Sequence, residues 1–170
     1  MFGLVGLMPD FAMIVVGANM GVSKMTKEHL GICLALSIPL FVVVTKIDIA
    51  PEEKYQETLT TLIKILSSAQ AGKNPEAIPR DSEEAKIDFE LLARSMPDKL
   101  VCPIFSVSNV TGEGIEKLKK FMSLLRSRVQ SSGQFGTVDD PVEFLIDGFY
   151  QVKGVGVVVA GTLLAGQVEP

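Results

Sequence analysis

Apolar and polar positions along this chain fall into blocks of changing period. Three runs are almost uninterruptedly apolar: Phe11-Ala-Met-Ile-Val-Val16, closed by Gly17; Leu40-Phe-Val-Val-Val-Thr45, led in by Pro39; and Val101-Cys-Pro-Ile-Phe-Ser-Val-Ser108. Runs this short, rich in valine and bounded by turn residues, predict strands buried on both faces. Pro103 argues against a central ladder position early in the third strand. Between them the period lengthens. A helix is expected over 26–37, opened by Thr26 as N-cap and stopped before Pro39. Leu59, Leu62, Ile63 and Leu66 form one apolar helical stripe. Residues 67–79 read as loop. Asp81 and Glu84 are spaced to cap a short helix running through Leu91 and Leu92. Ile115, Leu118, Met122 and Leu125 mark a further amphipathic helix. Alternating strands and helices predict an α/β fold, a parallel sheet of three strands with crossover helices.

After residue 129 the pattern changes. Residues 130–141 are polar and glycine-containing, a linker. From Val142 onward short strand patterns, divided by Asp147-Gly148 and by Gly154-Val-Gly156, continue without a helical stretch. They predict about three strands, the start of an all-β barrel module that looks cut short. The expected organisation is 1–129, 130–141 and 142–170. Charge supports the division: the whole net charge of −4 lies in the last 33 residues, where Lys153 faces Asp139, Asp140, Glu143, Asp147 and Glu169.

Composition removes several function classes. With 47% hydrophobic residues and a small net charge, extended disorder is excluded for most of the length. The acidic balance argues against a basic nucleic-acid coat. Two cysteines, Cys33 and Cys102, make no disulfide framework and suit a reducing, cytoplasmic setting. The apolar start is broken by Pro9 and Asp10, too early for a membrane span.

Two elements carry candidate chemistry. Thr45-Lys46-Ile47-Asp48 follows a buried strand directly. In open parallel sheets ligands sit beyond the carboxyl ends of strands. A carboxylate there can accept hydrogen bonds from the N1–H and 2-amino group of guanine; adenine has no N1–H to offer. Lys46 can lay its stem along the purine face. The alternative is an ordinary strand-end turn, with Asp48 bonded to nearby backbone. The second element, Ser108-Asn109-Val110-Thr111-Gly112, ends the third apolar run 60 residues later. Its backbone N–H groups can meet the guanine O6, and Ser108 can brace Asp48. Read alone it is a strand-to-helix loop with Thr111 as N-cap. Together, on consecutive strands, the two favour guanine recognition.

At these residues the chain resembles the translational GTPases of the elongation factor Tu and elongation factor 1-alpha class. Thr45-Lys46-Ile47-Asp48 is similar to their N/T-K-x-D motif, and Ser108-Asn109 to their S-A-type loop, with Asn for Ala. Thr26-Lys27-Glu28-His29 resembles their T-x-E-H segment. Gly154-Val-Gly156-Val-Val-Val-Ala-Gly161-Thr162 resembles the turn and strand that open their barrel domain. Leu7-x-Pro9-Asp10-Phe11, Met25 to Gly31 and Ile104 to Gly112 are most similar to the branch of GTP-binding protein 1 and GTP-binding protein 2. The resemblance implies a partial P-loop-type GTPase sheet with GTP or GDP bound through Thr45, Lys46, Asp48, Ser108, Asn109 and Val110. For the parent protein it implies GTP hydrolysis with the ribosome or tRNA as partner.

The phosphate loop G-x-x-x-x-G-K-[ST] and the D-x-x-G-H motif do not occur in these residues. Mg²⁺ would therefore be held by other segments, and the chain alone is expected not to turn over nucleotide. It is also expected to associate edge to edge through an open sheet, and a non-catalytic interaction module is the alternative function. His29, the single histidine, reads as structural. Its i, i+4 partner Cys33 reads as a core thiol and not as a metal ligand. Lys117, Lys119 and Lys120 read as a solvated helix face.

Overall fold

The computed structural model of the chain describes residues 9–80, 87–98, 100–127 and 136–169. They belong to two compact units, one spanning Asp10–Arg126 and a second holding residues 136–169.

The first unit is a parallel sheet of four strands, β1 (Ala12–Gly17), β2 (Leu40–Thr45), β3 (Asn74–Ala77) and β4 (Val101–Ser106), in the order β1-β2-β4-β3. Helices α1 (Lys24–Ala35), α2 (Glu52–Leu66), α3 (Phe89–Ser95) and α4 (Ile115–Leu124) connect and cover it. The three apolar runs are strands, as expected. The fourth, β3, lies in the stretch expected to be loop. It is a short edge strand with Pro75 inside and mostly exposed side chains, so it shows no apolar pattern. Pro103 sits where the sequence required. Its strand pairs with β3 through Val101–Ile104, but with β2 only from Ile104 onward.

Alternation decides which side chain meets which layer. Phe41 and Val43 of β2, with Phe105 of β4 and Val107 just beyond it, share one face with Phe89, Leu92, Met96 and Phe121. Phe121 anchors this core, its ring centroid 5.3 Å from Phe41 and 5.0 Å from Phe105. The intervening residues Val42, Val44 and Ile104 turn to the other face and are buried as well. There α2 is fixed by the Tyr55 hydroxyl on Ser106 Oγ at 2.9 Å. In β1 the alternation continues, but only Ala12, Ile14 and Val16 are buried, while Met13 and Val15 are about half exposed.

Three helix details differ from the sequence pattern. The N-cap of α1 is Ser23, whose hydroxyl accepts from the Thr26 N–H, so Thr26 lies inside the helix. Beyond the C-cap Leu36 the chain turns at Ser37, in the left-handed region at φ 53°, where the N–H groups of Ser37 and Ile38 return to the carbonyls of Leu34 and Cys33. In α2 the buried stripe is Tyr55, Thr58, Leu62 and Leu66, and Ile63 is exposed. In α4 Phe121 is the buried residue and Met122 is exposed. Leu62 and Leu66 are buried as expected, and Ile115, Leu118 and Leu125 pack against the core as expected; the stripes differ where Tyr55, Thr58 and Phe121 take buried positions and Ile63 and Met122 turn outward. The cap spaced on Asp81 and Glu84 lies outside the described residues; α3 is capped by Asp88, which accepts from the Leu91 N–H at 2.9 Å.

The second unit is one antiparallel hairpin, β5 (Glu143–Val152) and β6 (Gly156–Ala165). It has two long strands where about three short ones were expected. Asp147-Gly148 does not divide strands: the register shifts between Ile146 and Gly148, a bulge within one continuous strand. The Gly154 turn is present, with φ 85° at Gly154 and the Val155 N–H on the Val152 carbonyl. Among the described residues no helix is long and apolar enough to cross a membrane.

Candidate functional site

Adjacent parallel strands β2 and β4 run in register, Val44 opposite Ser106, with the Val107 N–H on the Val44 carbonyl at 2.8 Å. Their carboxyl ends therefore release their loops side by side. The first loop turns at once. Lys46 takes φ 61°, the left-handed region that a lysine rarely occupies, and its carbonyl accepts from the Ile49 N–H. Buried Ile47 anchors the turn while Lys46 and Asp48 stay exposed on either side of it. Alternation across one apolar anchor puts the cation and the carboxylate together at the surface.

The second loop is organised by Ser108, which is fully buried. Its hydroxyl donates to Asp48 Oδ1 at 2.7 Å and accepts from the N–H groups of Val110 at 3.2 Å and Thr111 at 3.1 Å. One donor and two acceptor positions are all used, so this serine is a structural brace with nothing left for a ligand. The loop closes through the Ser108 N–H on the Glu113 carbonyl and the Gly112 N–H on the Ser108 carbonyl, both at 3.0 Å. Glycines in the left-handed region, Gly112 at φ 82° and Gly114 at φ 74°, make that closure possible. A Cβ on Gly114 would run into the carbonyl oxygen of Ser106.

The residues expected at the site divide into three groups. Asp48 and Ser108 touch. Lys46 and Asn109 stand exposed beside them, and among the described residues the Asn109 N–H has no partner. Thr45 and Val110 are turned to other work. The Thr45 hydroxyl lies 3.5 Å from the Val16 carbonyl, toward β1, and the Val110 N–H belongs to Ser108 while its side chain is 85% exposed. Among the described residues, what remains open is a carboxylate with Oδ2 and one lone pair of Oδ1 unengaged, next to one free N–H. That set fits a ring edge carrying two donors and a neighbouring acceptor, as guanine does. The residues present fit the base of a nucleotide; no phosphate-loop sequence accompanies them.

A support that the sequence did not reveal lies beneath both loops. Arg80 donates from Nε to Glu113 Oε1 at 2.8 Å and pairs through Nη1 with Glu52 Oε2 at 3.4 Å. Its guanidinium stands 5.1 Å above the Tyr55 ring. The Glu113 bond pushes the guanidinium pKa still higher. No motif marks this arginine, because its partners come from two segments, Glu52–Tyr55 and Glu113, both distant from it in sequence.

Other candidates do not converge. His29 is exposed on α1 while Cys33 is buried, so the i, i+4 pair presents no common ligand face. Among the described residues no group of three His, Cys, Asp or Glu side chains is arranged to hold a metal. Burial pushes the Cys33 thiol up and the Cys102 thiol up to about 12.

Comparison with known proteins gives a consistent picture. A family profile described as the elongation factor Tu GTP binding domain matches residues 5–131. GTP-binding protein 1 of Xenopus laevis is 45% identical over 168 residues, 99% of this chain and 24% of that protein. GTP-binding protein 2 of Homo sapiens is 37% identical, over 97% of this chain and 27% of that protein. The apo structure of the translation elongation factor SelB from Methanococcus maripaludis is similar with a TM-score of 0.58 and 25% identity, over 92% of this chain and 27% of that one. The chain thus spans about a quarter of the length of these relatives.

Proposed function

This chain belongs to the elongation factor Tu GTP-binding domain family, and we propose that its Asp48–Ser108 site is where the guanine ring of GTP or GDP binds. The single observation behind this reading is the 2.7 Å bond from Ser108 Oγ to Asp48 Oδ1. It holds one carboxylate oxygen and leaves the other for the base. Asp48 accepts from guanine N1–H and the 2-amino group, the Asn109 N–H donates to O6, and the Lys46 stem covers one ring face. Thr45 and Val110 belong to this site through the loops that they shape. The phosphates and Mg²⁺ engage segments other than those described here. In the whole protein this domain acts in GTP binding and hydrolysis with the ribosome or tRNA, a reading supported by its likeness to a translation elongation factor. The domain division at 1–129, 130–141 and 142–170, the cytoplasmic location and edge-to-edge association through β1 are part of the same proposal. Exposed Met13 and Val15 beside an edge that, among the described residues, is paired only to β2 support the last.

The test is a base swap followed by residue-resolved NMR titration of the chain at millimolar nucleoside monophosphate. Asp48→Asn loses an acceptor and gains a donor, which suits the 2-carbonyl of xanthine. The wild-type chain is expected to favour GMP over XMP by about tenfold or more, the scale of one charge-assisted hydrogen bond. The variant should reverse that order, with shifts at Lys46 and Asn109. An unchanged preference would remove Asp48 from base recognition.

A further inference from the structure

We infer that Arg80 is a positioning residue for base recognition: it fastens the two loops of the site to each other, so that the Asp48 carboxylate is held in place before a ligand arrives. The inference rests on the guanine reading of Asp48 and Ser108.

The two loops share little sequence and one direct side-chain bond. The Asp48 loop runs through Pro51 into Glu52, the first residue of α2. The Ser108 loop ends at Glu113 and Gly114, just before α4. Arg80 takes one carboxylate from each: Glu52, four residues after Asp48, and Glu113, whose carbonyl closes the Ser108 loop. A planar guanidinium suits such bridging, because its donors diverge at fixed angles and reach two acceptors at once. Lysine, a single point charge on a flexible stem, cannot reproduce both arms.

The arginine is itself held. Lys117 Nζ donates to the carbonyls of Pro79 and Arg80 at 2.8 and 2.9 Å, tying that backbone to α4. Beneath the guanidinium, Tyr55 reaches Ser106 at the end of β4. A cation fixed in backbone, stacked on an aromatic ring and paired twice has lost its freedom before it acts. Its side chain is 28% exposed and that of Glu113 39%, so this pair is screened less than those on the open surface, while Glu52, at 67%, pairs nearer to solvent. Every element that carries a base-contacting residue is thus joined to one guanidinium. Asp48 and Asn109 need fixed relative positions to read the donors and the acceptor on one edge of the ring, and Arg80 supplies them without touching it.

The experiment compares GMP with IMP, which lacks the 2-amino group and so loses one bond to Asp48. NMR titration of the wild-type chain should give GMP about a tenfold advantage. Arg80→Met retains bulk over Tyr55 and removes both ion pairs. It should lower that advantage to about threefold or less while the amide spectrum stays folded, with Arg80→Lys in between. A role in stability alone would lower the melting temperature and leave the GMP-to-IMP ratio intact below it. A wild-type ratio preserved in Arg80→Met therefore overturns the inference while the base site stands. A wild-type chain that shows no preference removes the base site and the inference with it. Should Arg80→Met not fold, Glu113→Gln breaks the bridge at its other end, and the same ratio decides.

Discussion

The α/β unit and the hairpin are built from equally apolar strands, yet they treat those residues in opposite ways. β2 reads Leu-Phe-Val-Val-Val-Thr and buries all but its last residue. β6 reads Gly-Val-Val-Val-Ala-Gly-Thr-Leu-Leu-Ala and leaves Val157 and Val159 about half exposed or more. Propensity is the same; the number of layers differs. β2 lies between helices on both faces and strands on both edges. Among the described residues, the two-stranded hairpin offers its side chains little beyond their cross-strand neighbours. Apolar runs therefore announce strands in both units, but they announce a core only where a second layer exists.

The largest expected effect breaks this contrast directly. Phe121→Ala removes the ring that joins Phe41 to Phe105 and should cost the α/β unit about 3–5 kcal/mol in urea unfolding followed by circular dichroism. Phe149→Ala, at a side chain 78% exposed, should change stability by no more than about 0.5 kcal/mol. A comparable loss at both positions would mean that the hairpin buries Phe149 against a surface in solution, and the contrast would fail.

Next in size is a pair of glycines with nearly the same backbone. Gly114 and Gly154 both have positive φ, 74° and 85°. Alanine at Gly154 meets open space and should cost about 1–2 kcal/mol, the strain of the left-handed region alone. At Gly114 the same strain is joined by collision with the Ser106 carbonyl, so Gly114→Ala should cost clearly more. It should also disturb the Asn109 and Thr111 amides, which the Gly154 change leaves untouched. Equal losses in thermal melts would show that the Ser108 loop yields freely and is not braced from below.

These contrasts also mark what the sequence could and could not tell. Asp48 and Ser108 were legible because each follows a buried strand directly, and strand order converts that into proximity. The α/β class was legible for the same reason. β3 was not, since an edge strand reading Asn-Pro-Glu-Ala carries no apolar alternation. Asp147-Gly148 looked like a turn because a bulge and a turn favour the same residues. Thr26 looked like a cap because Ser23, three residues earlier, satisfies the same rule. Arg80 left no trace, for a bridge to two remote segments has no local pattern at all.

The smallest effect appears when pH is driven to opposite ends. In the α/β unit burial pushes the Cys102 thiol from about 9 up to about 12. A folded value raised above the unfolded one contributes stability that is complete below pH 9 and is lost as pH rises toward 12. In the hairpin unit the relevant group is Asp140, fully exposed, whose Oδ2 accepts from the Thr137 N–H at 2.6 Å and the Thr137 hydroxyl at 2.9 Å. Those bonds, the backbone one first, hold its carboxyl below the ordinary 3.8. A lowered folded value works the other way: its contribution is present above the unfolded pKa and is lost as pH falls through the folded one. The Thr137 turn also receives Gly166, whose N–H reaches the Thr137 carbonyl at 2.9 Å. Acid should therefore loosen the hairpin's base while leaving Cys102 protonated and silent. The Thr137 amide shift, followed by NMR, should move with a midpoint below 3.8, and Asp140→Asn should abolish that movement. A Thr137 amide that titrates at the ordinary carboxylate value would show that the turn is not capped in solution, leaving the hairpin held by its strand ladder alone.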